Sequence, residues 1–545
     1  MGFRLQIRSS ILVFFVLVPA ILAHKSEKTS LVVDTNATVA ETDANYICAT
    51  LDWWPPEKCN YGNCPWGLSS VINLNLSHPI LTNAIRAFES LRIRIGGSLE
   101  DRIIYNVGNP PPYCPELKKQ NSEMFGFSEG CLHMERWDEL NNFFEKTGAV
   151  VTFSLNALYG RRHMQNDDWQ GNWDSTNARD FINYTVSKGY KIDSWEFGNE
   201  LSGHGVSARV GSKQYGKDMI QLKALNDELY AKSESIPQLL APGGFYEKLW
   251  FNNMLQASGP DVINGVTHHL YSLGGGNDGN LKNKILNPDF LNKVSSTFIN
   301  LASTIRANGP WASAWVGESG GAYNSGAKGI SDTFLYSFWY LDQLGMAAKL
   351  HTKVYCRQSF IGGFYGLLNT DTFLPTPDYY GALLWHRLMG KGVLAINNNV
   401  SRYLRAYAHC AKARDGVAIL LINLNKKTTY YVDISSLNNI EPSIIEQKGV
   451  EKGSFSHVIK RSILWIGNKV PVDDLYREEY HLTPSGGNLQ SRTVLLNGRP
   501  LRPNQQNGAI PDLAPVLKDI KSRVKIDPLS IKFVVHPYID APGCK

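Results

Sequence analysis

Between about Tyr46 and Arg387, short β-rich runs alternate with amphipathic stretches, and this alternation restricts the chain more than any other feature. Repeats of that kind build βα units around a parallel sheet. The candidate strands are YICATLD ending at Asp52, SLRIRIGG at Gly97, AVVTFSLNA at Ala157 and KIDSWEFGNE at Glu200. QLLAPGG ending at Gly244, INGVTHH at His269, ASAWVGES at Ser319 and TKVYCRQ at Gln358 complete the set. Helical patterns such as ERWDELNNFFEKTG, SKQYGKDMIQLKALNDELYAK and SDTFLYSFWYLDQLG lie between several of them. Eight such units predict an α/β protein, a (β/α)8 TIM barrel. A doubly wound open sheet uses the same alternation, so periodicity alone leaves both architectures open.

After about Leu388 the texture changes. RYLRAYAHC, GVAILLINLN, TTYYVDI and SIKFVVHPY read as strands between turn-prone residues. They predict an appended all-β sandwich, to which TSLVVDTNATV can add a strand. At 545 residues the chain is too long for one ordinary core. The expected division is a signal peptide over 1–23, a catalytic barrel over 46–387, and a sandwich from 24–45 and 388–545.

Arg4 and Arg8 precede the apolar run from Ile11 to Ala23, which is long enough for a signal-peptide core and short for a membrane span. Export is therefore expected, to the cell wall or extracellular space or to a vacuole or lysosome-like compartment. In an oxidising compartment the eight cysteines read as bridges rather than metal ligands. Spacing suggests Cys59 with Cys64, Cys114 with Cys131, and Cys410 with Cys544. Asn36, Asn75, Asn183 and Asn399 each open a sequon, predicting N-glycans on surface loops. The formal charge of +6 is spread without a dense basic run, which argues against nucleic acid and suits acidic polysaccharides. No cofactor or metal is implied, a monomer is expected, and peripheral membrane association stays open.

Retaining glycoside hydrolysis needs two carboxyl groups on one face of a rigid scaffold, one to protonate the leaving oxygen and one to attack the sugar carbon. In a barrel that face is the C-terminal end of the strands. Glu200 closes the fourth candidate strand and Glu318 the seventh, 118 residues later, about three βα units. Asn199, beside Glu200, can hydrogen-bond a sugar 2-hydroxyl. Glu196 lies inside the strand, where an ion pair with Arg92 or Arg94 is expected. The carboxyl groups should stand about 5–5.5 Å apart, with activity at acidic pH.

SWEFGNE and AWVGESGGAY resemble the two catalytic motifs of the heparanase-like β-glucuronidases, glycoside hydrolase family 79. ATLDWW, LRIRIGGS, THHLY and YCRQSFIGGFYG follow in the family's order, so the resemblance covers nearly the whole chain after Ala23. It implies that Glu200 is the proton donor and Glu318 the nucleophile. It further implies that Asp52, Ser98, Asn199, His268 and Gln358 line the sugar site, with Tyr271 partnering the nucleophile. Backbone N–H groups at Asn324 and Ser325, with the Tyr365 hydroxyl, would hold the glucuronate carboxylate. The substrates implied are glucuronic-acid-containing polysaccharides, proteoglycans or small-molecule glucuronides. Three departures matter, the first that the sixth-strand motif reads His268-His269-Leu270-Tyr271 where heparanase has two successive aromatics after the histidines. The segment from Tyr105 to Glu135 is short where heparanase carries an excised stretch, so this chain should work uncut; and heparan-binding basic residues lack clear counterparts. The competing readings are a same-clan hydrolase for another sugar and a non-catalytic heparanase-like polysaccharide-binding protein.

Overall fold

Every residue of Ile47–Leu51, Arg92–Ile95, Ser194–Phe197 and Gly265–His269 is buried, as strands covered on both faces must be. The computed structural model describes residues 25–108, 114–397, 401–436 and 475–545. The expected signal peptide and Asn399 lie outside them. Strand β1 is Lys25–Glu41; the barrel strands are β2 (Ile47–Leu51), β3 (Arg92–Ile95), β4 (Val150–Leu155) and β5 (Ser194–Phe197). β6 (Gln238–Phe245), β7 (Gly265–His269), β8 (Ser313–Ser319) and β9 (Thr352–Arg357) follow. All eight pair in parallel and close into a barrel, β9 joining β2. A helix follows each barrel strand in turn: α1 (Pro79–Arg86), α2 (Met134–Thr147), α3 (Thr176–Ser187) and α4 (Ser212–Leu229) come first. α5 (Lys248–Ser258), α6 (Ser295–Asn308), α7 (Phe334–Lys349) and α8 (Pro377–Leu388) complete the ring. The architecture is the (β/α)8 barrel, not the open sheet. Among the described residues no helix is long and apolar enough to cross a membrane.

Outside the barrel, β1 and ten later strands among the described residues form one sheet of eleven. β10 (Met389–Asn397), β11 (Leu404–Ala411), β12 (Val417–Asn423) and β13 (Thr428–Ser436) precede β14 (Tyr476–Pro484). β15 (Val494–Leu496), β16 (Arg499–Pro500), β17 (Val516–Asp519), β18 (Val524–Ile526) and β19 (Ser530–His536) end the series. The order is β16-β15-β14-β19-β12-β11-β10-β1-β13-β18, with β17 on β14. Hydrogen bonding runs through all of this β-rich layer, because β1 pairs with β10 on one edge and β13 on the other. β18 and β19 are joined by residues 527–529 yet stand far apart in this order, so the sheet curls round. One face encloses its own core of Leu31, Leu404, Ile419, Val432 and Ile526. The other face packs Tyr407, Leu420 and Phe533 into the main barrel core. α7, buried along nearly its whole length, lies at this junction: Asp342 accepts hydrogen bonds from Arg405 (2.7 Å) and Tyr407 (2.6 Å) of β11. Asn36, Asn75 and Asn183 are exposed, but Asn36 lies within strand β1 and Asn183 on helix α3 rather than on loops.

Cys59–Cys64, Cys114–Cys131 and Cys410–Cys544 are bridged. A fourth bridge, which spacing does not suggest, joins Cys48 of β2 to Cys356 of β9, register partners across the barrel's closing seam. It packs with Leu240, Trp315 and Val354. Nearby, the barrel interior is polar. Arg94 Nε donates to Glu196 Oε2 at 2.6 Å, and the Ser154 hydroxyl donates to the same oxygen at 2.6 Å. Arg92 is the other candidate partner for Glu196; it pairs instead with Asp193 and lies over the Trp315 ring.

Two stability outcomes follow. Replacing Cys48 and Cys356 together by alanine should cost about 2–4 kcal/mol, because 308 residues lose their covalent closure; an unchanged thermal midpoint would contradict this. Arg94→Met should cost about 3–5 kcal/mol by leaving Glu196 buried and unpaired, and adding Glu196→Met should recover much of it, read by urea unfolding.

Candidate active site

After β5 the chain turns through Gly198 and places Glu200 in the left-handed region, at a φ of 56° that side chains beyond Cβ adopt rarely. Two bonds hold it there: its N–H donates to the Gly243 carbonyl at 2.6 Å, and its carbonyl accepts from Val206 at 3.0 Å. Asp101 fixes the approach, accepting from the N–H groups of Asn199 (2.9 Å) and Ala157 (2.7 Å). Glu318 stays within β8, and its carbonyl accepts from Leu270 N–H at 2.9 Å. Carboxylate oxygens of Glu200 and Glu318 and a ring nitrogen of His269 all lie within 4.8 Å of one another. Carboxyl groups this close match the retaining geometry of about 5–5.5 Å rather than the inverting one of about 6.5–9.5 Å.

Arg94 organises the electrostatics. Its guanidinium donates to Glu318 Oε2 at 3.2 Å and to Asn199 Oδ1 at 2.9 Å, besides its bond to Glu196. It also lies 3.5 Å from His269 Nε2. Arginine can only donate, so Nε2 accepts and the ring proton sits on Nδ1, which donates to Glu200 Oε1 at 3.0 Å. Burial pushes His269 down to about 4, so the imidazole is neutral. Burial likewise pushes the Glu200 carboxyl up to about 7, with Arg94 pulling weakly the other way. Glu196 is buried too, but the Arg94 guanidinium and the bond from the Ser154 hydroxyl outweigh that and hold it below the usual carboxylate range. The Tyr271 hydroxyl donates to Glu318 Oε1 at 2.5 Å.

The other sequence-derived positions divide cleanly. Gln358 Nε2 donates to Asp52 Oδ2 at 2.8 Å, and the Thr50 hydroxyl donates to Gln358 Oε1. Burial, then Glu318, pushes Asp52 up to about 8, against Gln358 and Arg94. Asp52 Oδ1 and Asn199 Nδ2 are buried without a protein partner among the described residues, so each has hydrogen-bonding capacity left for an outside group. Ser98 is half-buried in the turn after Gly97, where a Cβ would come within 2.9 Å of the Asp52 carboxyl. Tyr271 and Tyr365 flank Gly320, whose added Cβ would lie 2.9 Å from both rings. Asn324 and Ser325, with φ of 58° and 71°, form a left-handed stretch continued by Gly326.

His268 does not belong to this group. Neighbouring strand residues face opposite sides, and His268 points away from the barrel mouth, its ring edge-on to Phe298 of α6 at 5.8 Å. Burial holds it neutral, down to about 3. The histidine of the site is His269, a register partner of Glu318. Arg94 and Asp101 were likewise missing from the expected sugar site. Strand parity could have found His269 and Arg94, whereas nothing in the local sequence marks Asp101. Glu200, His269 and Glu318 also form a cluster able to hold a metal ion, though the Arg94 charge beside Glu318 opposes a cation.

Residues 28–345 match the family model described as glycosyl hydrolase family 79, N-terminal domain. The chain is 55% identical to heparanase-like protein 2 of Arabidopsis thaliana, over the whole length of both. It is 39% identical to baicalin-beta-D-glucuronidase of Scutellaria baicalensis, covering 94% of this chain and 93% of that one. Among solved structures, the family 51 arabinofuranosidase of Xanthomonas axonopodis pv. citri superposes with a TM-score of 0.61 at 12% identity, over 93% of this chain and 99% of that one. That likeness speaks for the fold alone. A barrel with two close glutamates at its mouth, matched by this family model over more than half its length, is a glycoside hydrolase scaffold, and the chain belongs to glycosyl hydrolase family 79, in its heparanase-like plant branch.

Proposed function

We propose that this chain is a retaining β-glucuronidase that removes glucuronic acid from glycans or glycoconjugates by double displacement. The observation that carries the reading is the close pair, Glu200 and Glu318, whose surroundings differ. Glu318 accepts bonds from Arg94 and Tyr271, which suit an ionised nucleophile. Glu200 has only a neutral imidazole on one oxygen and retains its proton to about 7, which suits a general acid.

In the first step Glu318 attacks the anomeric carbon while Glu200 gives its proton to the departing oxygen. The covalent ester cancels the Glu318 charge, and Glu200, now ionised, takes a proton from the incoming water. Asn199 Nδ2 and Asp52 Oδ1 hold sugar hydroxyls. The glucuronate carboxylate rests against the 324–326 stretch and the Tyr365 hydroxyl. The glucuronidase named among the relatives supports this choice of sugar. The substrates are then glucuronic-acid-bearing polysaccharides or small-molecule glucuronides, met by a monomer in an exported compartment; four disulfides support that location.

A panel of aryl β-glycosides tests the sugar, and a preference for glucoside or arabinofuranoside over glucuronide would refute the reading. Glu200→Ala should lower turnover about 10²–10⁴-fold, and Glu318→Ala by more. Azide separates the roles. With Glu200→Ala it should capture the glycosyl-enzyme as the β-azide, whereas with Glu318→Ala it should attack directly and give the α-azide.

The pH profile has a definite sign. Glu200 must be protonated, so kcat/KM should fall as pH rises through about 7, and this limb should vanish in Glu200→Ala on an activated aryl substrate.

A further inference from the structure

The loop after β2 carries a cation that the mechanism leaves unused. Cys59 and Cys64 close a small hairpin in which Asn60 and Asn63 exchange backbone hydrogen bonds at 2.8 and 3.0 Å. The hairpin is docked on the left-handed stretch after β8. The Ser325 hydroxyl donates to Asn60 Oδ1 at 2.8 Å, Asn324 Nδ2 donates to the Tyr61 hydroxyl at 3.1 Å, and Trp66 Nε1 donates to Ser325 Oγ at 2.9 Å. Trp66 also meets the Tyr365 ring edge-on at 6.3 Å.

Lys58 enters this hairpin. Its ammonium lies 3.8 Å from the centre of the Trp54 ring, which is itself packed against Phe125 and Phe127. The side chain is half-buried, and among the described residues no carboxylate comes within 4.0 Å of the ammonium. Burial pushes the ammonium down to about 8, and the acid that bears on it is Asp52 at the barrel mouth, itself pushed up to about 8. A partly desolvated cation with no fixed counter-ion, beside the site of an acidic sugar, lacks one anion to complete it.

We infer that Lys58 is a specificity-determining residue that forms an ion pair with the carboxylate of the bound uronic acid. The inference rests on the β-glucuronidase reading and adds to it a charged recognition element carried by the disulfide-closed loop. The cation and the backbone donors then play different parts, Lys58 attracting the charge and the 324–326 stretch orienting it.

The test compares wild type, Lys58→Met and Lys58→Arg on p-nitrophenyl β-D-glucuronide and p-nitrophenyl β-D-glucoside. Methionine keeps the stem on Trp54 and removes the charge. Lys58→Met should lower kcat/KM for the glucuronide about tenfold, mainly through KM, and collapse the glucuronide-to-glucoside preference by a similar factor. Lys58→Arg should restore most of it. Equal losses on both substrates would mean that Lys58 only supports the loop, and no loss would mean that it touches nothing; either overturns the inference while leaving the glucuronidase reading intact. Failure of the wild type to cleave the glucuronide would refute that reading instead. NMR titration with free D-glucuronate then decides Lys58 without turnover: weaker binding to Lys58→Met than to wild type supports it, and equal binding overturns it.

Discussion

One guanidinium holds the barrel mouth together. Arg94 reaches from β3 across the interior and touches groups contributed by β5, β7, β8 and the turn after β5. Three glutamates, Glu196, Glu200 and Glu318, are buried around it, and three adjacent negative charges could not share so dry a space. Burial opposes the arginine's own charge, but Glu196, Glu318 and Glu100 outweigh it and keep it protonated. The single positive charge is shared unequally. Glu196 receives a direct bond and stays ionised; Glu318 receives a longer one; Glu200 receives only the neutral His269 and keeps its proton. That Glu200 holds its proton a few ångströms from the arginine-bonded Glu318 therefore follows from which carboxylate the arginine reaches, with no need for different residue types.

The same arrangement explains what could be read from the sequence and what could not. All eight barrel strands were legible because each is a short β-rich run flanked by helix or turn signals, and Glu200 and Glu318 were legible because they fall at the C-terminal ends of two of those runs, Glu200 just past β5 and Glu318 within β8. His269 was missed in favour of His268 although they are adjacent. The motif draws attention to both, and only the two-residue alternation of a strand decides which one faces Glu200. The Cys48–Cys356 bridge was invisible for a different reason. Spacing suggests partners that are close in sequence or near a terminus, while this pair becomes adjacent only once β9 returns beside β2. Arg94 was legible as a partner for Glu196 but not as a partner for Glu318, Asn199 and His269, since those contacts exist only after the barrel closes.

The β-rich tail shows the limit of pattern reading in another way. Alternation gave β1, β11, β12, β13 and β19 but not β10 or β14 to β18, and how the strands join depends on what pairs with both edges of a single segment. β1, from the other end of the chain, supplies that link. The joined sheet then presses its second face on the barrel, where a Cβ at Gly345 of α7 would come within 2.3 Å of the Tyr407 ring. Close contact of this kind makes the sheet a wall of the barrel rather than a tethered module.

Fold and catalytic pair leave the sugar undecided. A barrel that superposes on an arabinofuranosidase at 12% identity cannot carry the choice of substrate in its strands. What distinguishes one site from another must lie in the loops at the strand ends, which are free to vary while β5 and β8 keep two glutamates in place. Here the loops after β2 and β8 are locked to each other through Asn60, Tyr61, Trp66, Asn324 and Ser325. A disulfide holds the first of them closed at its tip. Two loops fixed this firmly form one rigid rim, and polar groups carried on such a rim would meet a small charged ligand through fixed geometry rather than loop closure.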